Sequence, residues 1–600
     1  MTHQNRATLW GRTIVDELAA GGLDAVCLAP GSRSTPLTAA FDAHPDVTVY
    51  SQIDERAAAF FALGRSRRTG SPTALVCTSG TAAANFHPAV IEADHGRVPL
   101  VVLTADRPAE LTASGANQTI DQTALYGDSV RWFADLPEPA PEDRRLRSVR
   151  TTVARALSTS TGTPAGPVHL NCSFAKPLDP DPNAEPIDDE RLESLLAQSR
   201  DGPYVRTTNG TQTADRGTID SIANALEAAE RPLLVAGPAD PGVVDDGTDW
   251  QKTLVDVAEA IQAPIVADPL SDVRFDPAVA SPTICGGYDA YVDEVPAPDC
   301  VLQIGDAPTS KTLRHTLRDA SCRQFLIDPA GSWREATFTA TDLVETDPRH
   351  LIDGLADRLV GTDRADERNQ RGDERDTWLE TFVDAEQVVD DQITGATTTE
   401  TLETDPLEGS VLRTVLARTP DPSTVFVSNS MPIRDADLFG RPRAADVTVL
   451  ANRGASGIDG IVSSALGAGR ATTDPLTLVT GDLALYHDSN GLLALSRCDV
   501  EATIVVVHND GGGIFHKLPI EAHDPPFTAQ FKTPHGLDFS ALAQLYDFDY
   551  HDTSPADFES TYRAARESDG TNLVAVHVDA GSSHRRREEL VERIAAECRR

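Results

Sequence analysis

The chain has 600 residues, with 52 Lys and Arg against 92 Asp and Glu, a formal charge of −40. Hydrophobic residues make up 40%, enough for several cores of roughly 100–200 residues each, so the charge does not signal global disorder. So acidic a chain excludes a nucleic-acid partner, which is gripped by clustered Lys and Arg. No apolar run nears the ~18 residues of a membrane span, which excludes membrane insertion.

Only five of the basic residues are lysines: Lys176, Lys252, Lys311, Lys517 and Lys532. This acid-rich, Lys-poor composition fits a halophilic protein kept soluble in molar salt, where the Debye length falls to about 3 Å and acidic self-repulsion is screened. An ordinary acidic protein is the alternative. The N-terminus lacks the apolar stretch of a signal peptide, and eight scattered Cys contain no CxxC pair. Both point to a reducing cytoplasm, without structural zinc or a disulfide framework.

Residues 1–180 alternate short apolar runs with Ala-rich helical stretches: DAVCLAPGSRS, TALVCTSGTAAANF, VPLVVLTADRP. Each run ends in a Gly, Ser or Pro turn, the mark of βαβ units and a parallel sheet. The Pro- and acid-rich LDPDPNAEPIDDE (178–190) reads as a linker. A second α/β region spans 205–355, with strands in RPLLVAGPAD, APIVADPL, DCVLQIGDAP and RQFLIDPAG. The charged stretch 356–408 reads as a solvated helix plus linker. From 409 to 600 the rhythm returns in STVFVSNSMPIRD, DVTVLANRGASGIDG, LTLVTGDLALYHDSNG, ATIVVVHNDGGGIF and NLVAVHVDAG. The expected fold is α/β, with three consecutive parallel-sheet domains flanked by helices. The two outer regions could share one fold class.

The strongest chemical signal is Gly481-Asp482, followed 27 residues after Asp482 by Asn509 in His508-Asn509-Asp510-Gly511. That spacing is one strand–helix–strand crossover. It puts both side chains at the carboxyl ends of parallel strands, where open α/β sheets bind ligands. The Asp482 carboxylate, the Asn509 carboxamide oxygen and a main-chain carbonyl at Gly511 are hard donors suited to Mg²⁺ (or Mn²⁺) carrying phosphate oxygens. Glycines there admit a diphosphate close to the backbone. Two ordinary turn sequences are the bland alternative.

This spacing resembles the diphosphate–magnesium motif of thiamine-diphosphate enzymes. Longer segments narrow the resemblance: APGSRSTPL, DERAAAFFALG, CTSGTAAANFHPAVIEA, GANQTIDQ, SNSMPIRD, NRGASGIDG, GDLALYHDSNGL and HNDGGGIFHKLP. Together they are similar to the MenD family, the 2-succinyl-5-enolpyruvyl-6-hydroxy-3-cyclohexene-1-carboxylate synthases of menaquinone biosynthesis. The resemblance runs from residue 26 to about 520. It implies a pyrimidine-binding domain (1–180), a central domain (205–355) and a diphosphate- and Mg-binding domain (409–600). It implies decarboxylation of 2-oxoglutarate and 1,4-addition of the resulting carbanion to isochorismate, with thiamine diphosphate and Mg²⁺ as cofactors.

Residue by residue, the resemblance makes Glu55 the catalytic acid at the cofactor's aminopyrimidine. Ile458, Gly481, Asp482, Asn509 and Gly511 become cofactor contacts, the last three also holding the metal. Since both substrates are dicarboxylates, Arg33, Arg107, Arg434 and Arg453 become carboxylate clamps. Ser32, Ser430, Asn117 and Gln118 become polar substrate contacts, and Phe515 and Leu518 pocket lining. Each has an ordinary reading beside it: helix-dipole complementation for Glu55, a core helix position for Ile458, and surface ion pairs for the arginines. The resemblance further implies a homodimer or tetramer, with active sites between subunits.

The sequence departs from the family twice. Lys311, a carboxylate contact by the same resemblance, is followed by Thr312 where some members have Lys-Arg, which leaves the second contact open and Arg314 as a possible substitute. His508 stands where many have Asn, and reads as a packing residue beside the metal rather than a ligand. The central region resembles one that binds FAD in some relatives, but no FAD is expected. Another thiamine-diphosphate carboligase, acetolactate-synthase-like, remains the alternative. A dinucleotide oxidoreductase would need GxGxxG at the first βα turn, which is missing. A catalytically dead homologue would have no reason to keep Glu55, Asp482 and Asn509 together.

Overall fold

The computed structural model describes all residues except 1–4, 180–186, 188, 195, 199–200, 242–248, 278–280 and 361–371. Most of the 178–190 segment therefore lies outside the described residues.

Three six-stranded, wholly parallel sheets follow one another along the chain. The first comprises β1 (Ala25–Leu28), β2 (Thr48–Ser51), β3 (Thr73–Cys77), β4 (Leu100–Asp106), β5 (Trp132–Leu136) and β6 (Pro167–Ser173), in the order β2-β1-β3-β4-β6-β5. The central sheet holds β7 (Pro232–Ala236), β8 (Ile265–Ala267), β9 (Ile284–Cys285), β10 (Cys300–Ile304), β11 (Arg323–Ile327) and β12 (Asp342–Val344), in the order β12-β11-β10-β7-β8-β9. The third has β13 (Ser423–Val427), β14 (Val447–Leu450), β15 (Leu476–Gly481), β16 (Thr503–His508), β17 (Asp549–Thr553) and β18 (Asn572–His577), in the order β14-β13-β15-β16-β18-β17. The outer sheets thus share one strand order. Interior strands such as β3, β15 and β16 are continuous apolar runs because helices cover both faces of a parallel sheet.

The central sheet has the order of a dinucleotide-binding fold, 3-2-1-4-5-6 in local numbering. Its switch point between β7 and β10 is closed by the chain itself. Asp306 donates its N–H to the Pro238 carbonyl at 2.8 Å. A Cβ on Gly237 would lie 1.9 Å from the Asp306 carbonyl oxygen.

The first and third domains share one core. The helix Glu55–Thr69 crosses the helix Ile461–Arg470 at backbone contact. A Cβ on Gly64 would lie 1.8 Å from the Ser464 carbonyl oxygen, and one on Gly467 would lie 1.9 Å from that of Phe61. Phe60, Phe61, Val462 and Leu466 fill the seam.

The region read as a solvated helix plus linker contains a helix, but one that is packed rather than solvated. Helix Gly372–Ala396 buries Trp378, Phe382, Val389 and Ile393 against Tyr291, Phe439 and Leu590, tying the central domain to the third. Glu380, Asp384 and Asp391 are exposed and mask the apolar spacing, whereas Glu386 is buried and accepts from the N–H groups of Gly286 and Gly287 and the Tyr291 hydroxyl. Among the described residues no helix is long and apolar enough to cross a membrane.

Gly467→Val is expected to destabilise the chain by about 2 kcal/mol or more, because neither helix backbone can retreat from the crossing. A denaturant midpoint unchanged from the parent would contradict this close approach.

Candidate active site

The carboxyl end of the third sheet is built around Asp482, the first residue of the helix Asp482–His487 after β15. Its carboxylate is 1% exposed. Oδ1 accepts from the Leu483 N–H at 2.7 Å, while Oδ2 accepts from the N–H groups of Asn509 at 3.1 Å and Gly511 at 3.2 Å. One carboxylate therefore ties the ends of neighbouring strands β15 and β16. Gly511 sits at φ +139°, and a Cβ there would meet the Lys532 carbonyl at 2.0 Å. At Gly481 a Cβ would meet nothing within 4 Å, leaving open space over the helix start.

Asn509 donates its Nδ2 to Glu408 Oε1 at 2.7 Å. Its Oδ1 is buried and has no hydrogen-bond partner. A shielded carboxamide oxygen without a donor, beside a buried carboxylate, is a donor set for a hard cation. The residues present thus fit a divalent ion and the diphosphate it would carry. Burial, followed by Asp435 and then Asp482, pushes the Glu408 carboxyl up to about 8, and the bond from Asn509 pulls it down. His508 is buried beside this set. Its Nε2 faces the Leu537 carbonyl at 3.2 Å, its Nδ1 lies 3.6 Å from Asp482 Oδ2, and its ring packs on His577 and Phe539.

Glu55 opens the helix Glu55–Thr69, where the N-cap Asp54 accepts from Arg56 and Ala57. Among the described residues the Glu55 carboxylate makes no hydrogen bond or ion pair. Ile458 is not a core helix residue. It is 39% exposed in the loop leading to the helix Ile461–Arg470. That loop is clamped by Glu92 of the first domain, whose carboxylate accepts from the N–H groups of Gly454, Ala455 and Ser456 at 2.7, 2.6 and 3.2 Å.

The proposed carboxylate clamps share one property. Among the described residues Arg33, Arg107, Arg434, Arg453, Lys311 and Arg314 form no ion pair, in a chain with forty more acids than bases. Arg33 is buried, donating to the Phe174 carbonyl at 2.5 Å, and burial with Arg107 nearby lowers its pKa. Arg434 donates to the Ser430 carbonyl, with Ser430 held at φ 73°, and burial, then Arg453 and Arg587, lower the Arg434 pKa. Arg453 donates to Asn429 Oδ1 at 3.0 Å. The surface ion-pair reading fails for all four arginines.

A cavity of about 770 Å³ between the central and third domains is lined by Lys311, Thr312, Arg314, Arg434 and Leu518. Lys517 and Arg587 also line it, and neither was singled out from sequence. Arg587 reaches Asp435 at 3.2 Å, whereas Lys517 forms no ion pair among the described residues. The sequence clues to Lys517 are that it is one of five lysines and that it lies in the HNDGGGIFHKLP segment between Phe515 and Leu518. Phe515 lies outside this lining, packed edge-on against Phe531 at 5.5 Å. Ser32, exposed, borders a separate hollow beside β1, and Asn117 and Gln118 are exposed on the loop after β4. Gln118 donates to the Ser79 carbonyl at 3.2 Å. Within one chain, therefore, the first-domain set (Ser32, Arg33, Glu55, Arg107, Asn117, Gln118) does not line the cavity that holds Lys311 and Arg434.

A thiamine-dependent enzyme is the class this arrangement defines, and comparison with known proteins agrees. The family profile "Thiamine pyrophosphate enzyme, N-terminal TPP binding domain" matches residues 10–125, and "Thiamine pyrophosphate enzyme, C-terminal TPP binding domain" matches residues 443–576. A solved thiamine diphosphate-dependent 4-hydroxybenzoylformate decarboxylase of Rhodococcus jostii RHA1 shares the fold, at TM-score 0.66 and 16% identity over 95% of this chain and 99% of that one.

Nearer relatives fix the family. Proteins named 2-succinyl-5-enolpyruvyl-6-hydroxy-3-cyclohexene-1-carboxylate synthase are 55% identical in Haloarcula marismortui and 53% identical in Halobacterium salinarum, over 99% of both chains in each case. One from Roseiflexus castenholzii is 40% identical over 98% of both chains. The chain belongs to this synthase family.

Removing the Glu92 clamp is testable. Glu92→Ala leaves three backbone donors unmet, and is expected to cost about 3 kcal/mol and to expose the 453–458 loop to proteolysis. Unchanged stability and cleavage would show that the loop holds itself.

Proposed function

We propose that the chain decarboxylates 2-oxoglutarate and adds the resulting four-carbon unit in 1,4 fashion to isochorismate, giving 2-succinyl-5-enolpyruvyl-6-hydroxy-3-cyclohexene-1-carboxylate for menaquinone synthesis. The observation that carries this reading is the set of arginines and lysines that, among the described residues, have no carboxylate partners in so acidic a chain, beside the cation-type donor set of Asp482 and Asn509. Two dicarboxylate substrates would supply the missing counter-charges.

When bound, thiamine diphosphate supplies the carbon centre that makes CO₂ loss possible, and Mg²⁺ or Mn²⁺ neutralises its diphosphate. Asp482, Asn509 Oδ1 and the Gly511 carbonyl hold the cation, with open space over Gly481 for the diphosphate. Ile458 props the cofactor from its exposed position. Glu55 holds a proton against the aminopyrimidine ring. Its unpaired carboxylate supports a site completed by a second copy of the chain, in a homodimer or tetramer. Arg33 and Arg107 bind one carboxylate from the first domain, with Ser32, Asn117 and Gln118 as neutral contacts. Lys311, Arg314, Arg434, Arg453 and Lys517 bind carboxylates on the other side, with Ser430 and Leu518 shaping the pocket and Phe515 packed outside its lining. A pyruvate-type substrate would leave these cations unanswered. The composition supports a cytoplasmic, halophilic setting.

The decisive assay mixes enzyme, 2-oxoglutarate, isochorismate, Mg²⁺ and thiamine diphosphate, and looks for the succinyl adduct by mass. Glu55→Gln is expected to cut CO₂ release at least 100-fold while the fold persists. Consumption of pyruvate alone, or full turnover by Glu55→Gln, would overturn the assignment. Raising salt from zero should first raise the rate, and a monotonic fall would refute the high-salt setting.

Lys517 adds a pH signature. Burial, then Arg587, lowers its ammonium to about 8, with Asp289 opposing. Its positive charge is therefore lost as pH rises through about 8 rather than near its ordinary value of 10.5. The KM for one dicarboxylate is expected to climb above that pH, and Lys517→Met to flatten the climb. An identical profile in the variant would remove Lys517 from the site.

A further inference from the structure

Asn509 can serve a cation only if its carboxamide oxygen, and not its NH₂, faces the ion. The two ends of a carboxamide are nearly the same size, so packing alone does not choose between them. An acceptor-only neighbour does choose, and in the loaded site the charge of the cation keeps a carboxyl beside it ionised, and so acceptor-only, against the burial that otherwise favours the neutral acid. Glu408 is that neighbour: its Oε1 accepts from Asn509 Nδ2 at 2.7 Å, and the residue is 5% exposed. Its own main chain is pinned, since its N–H donates to Ser583 Oγ at 2.9 Å. Gly513 leaves the amide room, because a Cβ there would lie 2.7 Å from Asn509 Nδ2. The result is the orphaned, buried Asn509 Oδ1. Glu408 ends the stretch read from sequence as a charged linker, and no role falls to it in the reaction outlined above.

We propose that Glu408 is a positioning residue for the metal site, fixing the Asn509 carboxamide so that its oxygen is presented to the divalent cation. The inference rests on the cation reading of the preceding section. A flipped amide would aim two N–H dipoles at the ion and its carbonyl at a carboxylate, unfavourable on both sides. Outer partners that orient a ligand are commonly worth 10–100-fold in metal affinity.

The test measures Mn²⁺ binding to the full-length protein with saturating thiamine diphosphate, from the loss of the free-ion electron paramagnetic resonance signal. Glu408→Gln, which can donate to Oδ1 and stabilise the wrong orientation, is expected to raise the Mn²⁺ Kd at least tenfold. Glu408→Asp keeps an acceptor-only group and is expected to lose less. In an Asn509→Asp background the sign should reverse. There Glu408 faces a second carboxylate, so Glu408→Gln is expected to tighten Mn²⁺ binding. An unchanged Kd in Glu408→Gln overturns the inference, as does weakening of equal size in both backgrounds, which would indicate a merely structural role. If the parent protein binds no Mn²⁺ with thiamine diphosphate, the cation reading itself falls, a different and recognisable outcome.

Discussion

The site depends on one buried carboxylate shared between two strand ends. Asp482 accepts from its own helix through Leu483 and from the β16 end through Asn509 and Gly511. A buried carboxylate is tolerated only when its lone pairs are met, and here three backbone donors meet them. The same bonds fix where the Asn509 side chain and the Gly511 carbonyl stand. Gly511 can turn its N–H inward because it takes φ +139°, where a side chain would strike the Lys532 backbone. The sheet registers Gly481 opposite Val507, so the strand ladder delivers both ends to one level.

Around this point the two outer domains repeat one strand order and meet through a backbone-close helix crossing. The first domain also reaches across with Glu92 to hold the loop carrying Arg453 and Ile458. One side of the prospective site is therefore set by main-chain contacts, which do not depend on long flexible side chains. The cations are placed differently. Lys311, Arg314, Arg434 and Lys517 line the inter-domain cavity without ion pairs among the described residues, although the chain carries a large excess of acid and Asp289, Asp293, Asp319 and Asp437 share that lining. Surface charge suits the solvent, whereas the local imbalance of charge suits the ligand.

How much could be read from sequence follows burial. Strands buried on both faces, such as β3, β4, β15, β16 and β18, announce themselves as apolar runs. Edge strands β2, β5, β12 and β17 are only partly buried and carry no such run. Interior β6 escapes notice because His169 and Asn171 interrupt it, each meeting the Thr104 hydroxyl in the sheet. The connecting helix Gly372–Ala396 is legible as a charged helix, but its exposed acids hide the buried face of Trp378, Phe382, Val389 and Ile393. In the site, Asp482 and Asn509 are legible because their spacing is one crossover. Glu408 and Arg587 are not, since long-range folding alone brings them to the metal set and the cavity, while Lys517 stands inside a legible segment, beside the Leu518 that the sequence singles out.

The central claim is that the carboxyl end of the third sheet is a cation–diphosphate site. Its most direct test is an anomalous difference map from crystals grown with Mn²⁺ and thiamine diphosphate. The expected peak lies within bonding distance of the Asp482 carboxylate, Asn509 Oδ1 and the Gly511 carbonyl, with Glu55 of a second copy against the aminopyrimidine. A peak elsewhere, or a diphosphate bound away from Gly481, would contradict the account.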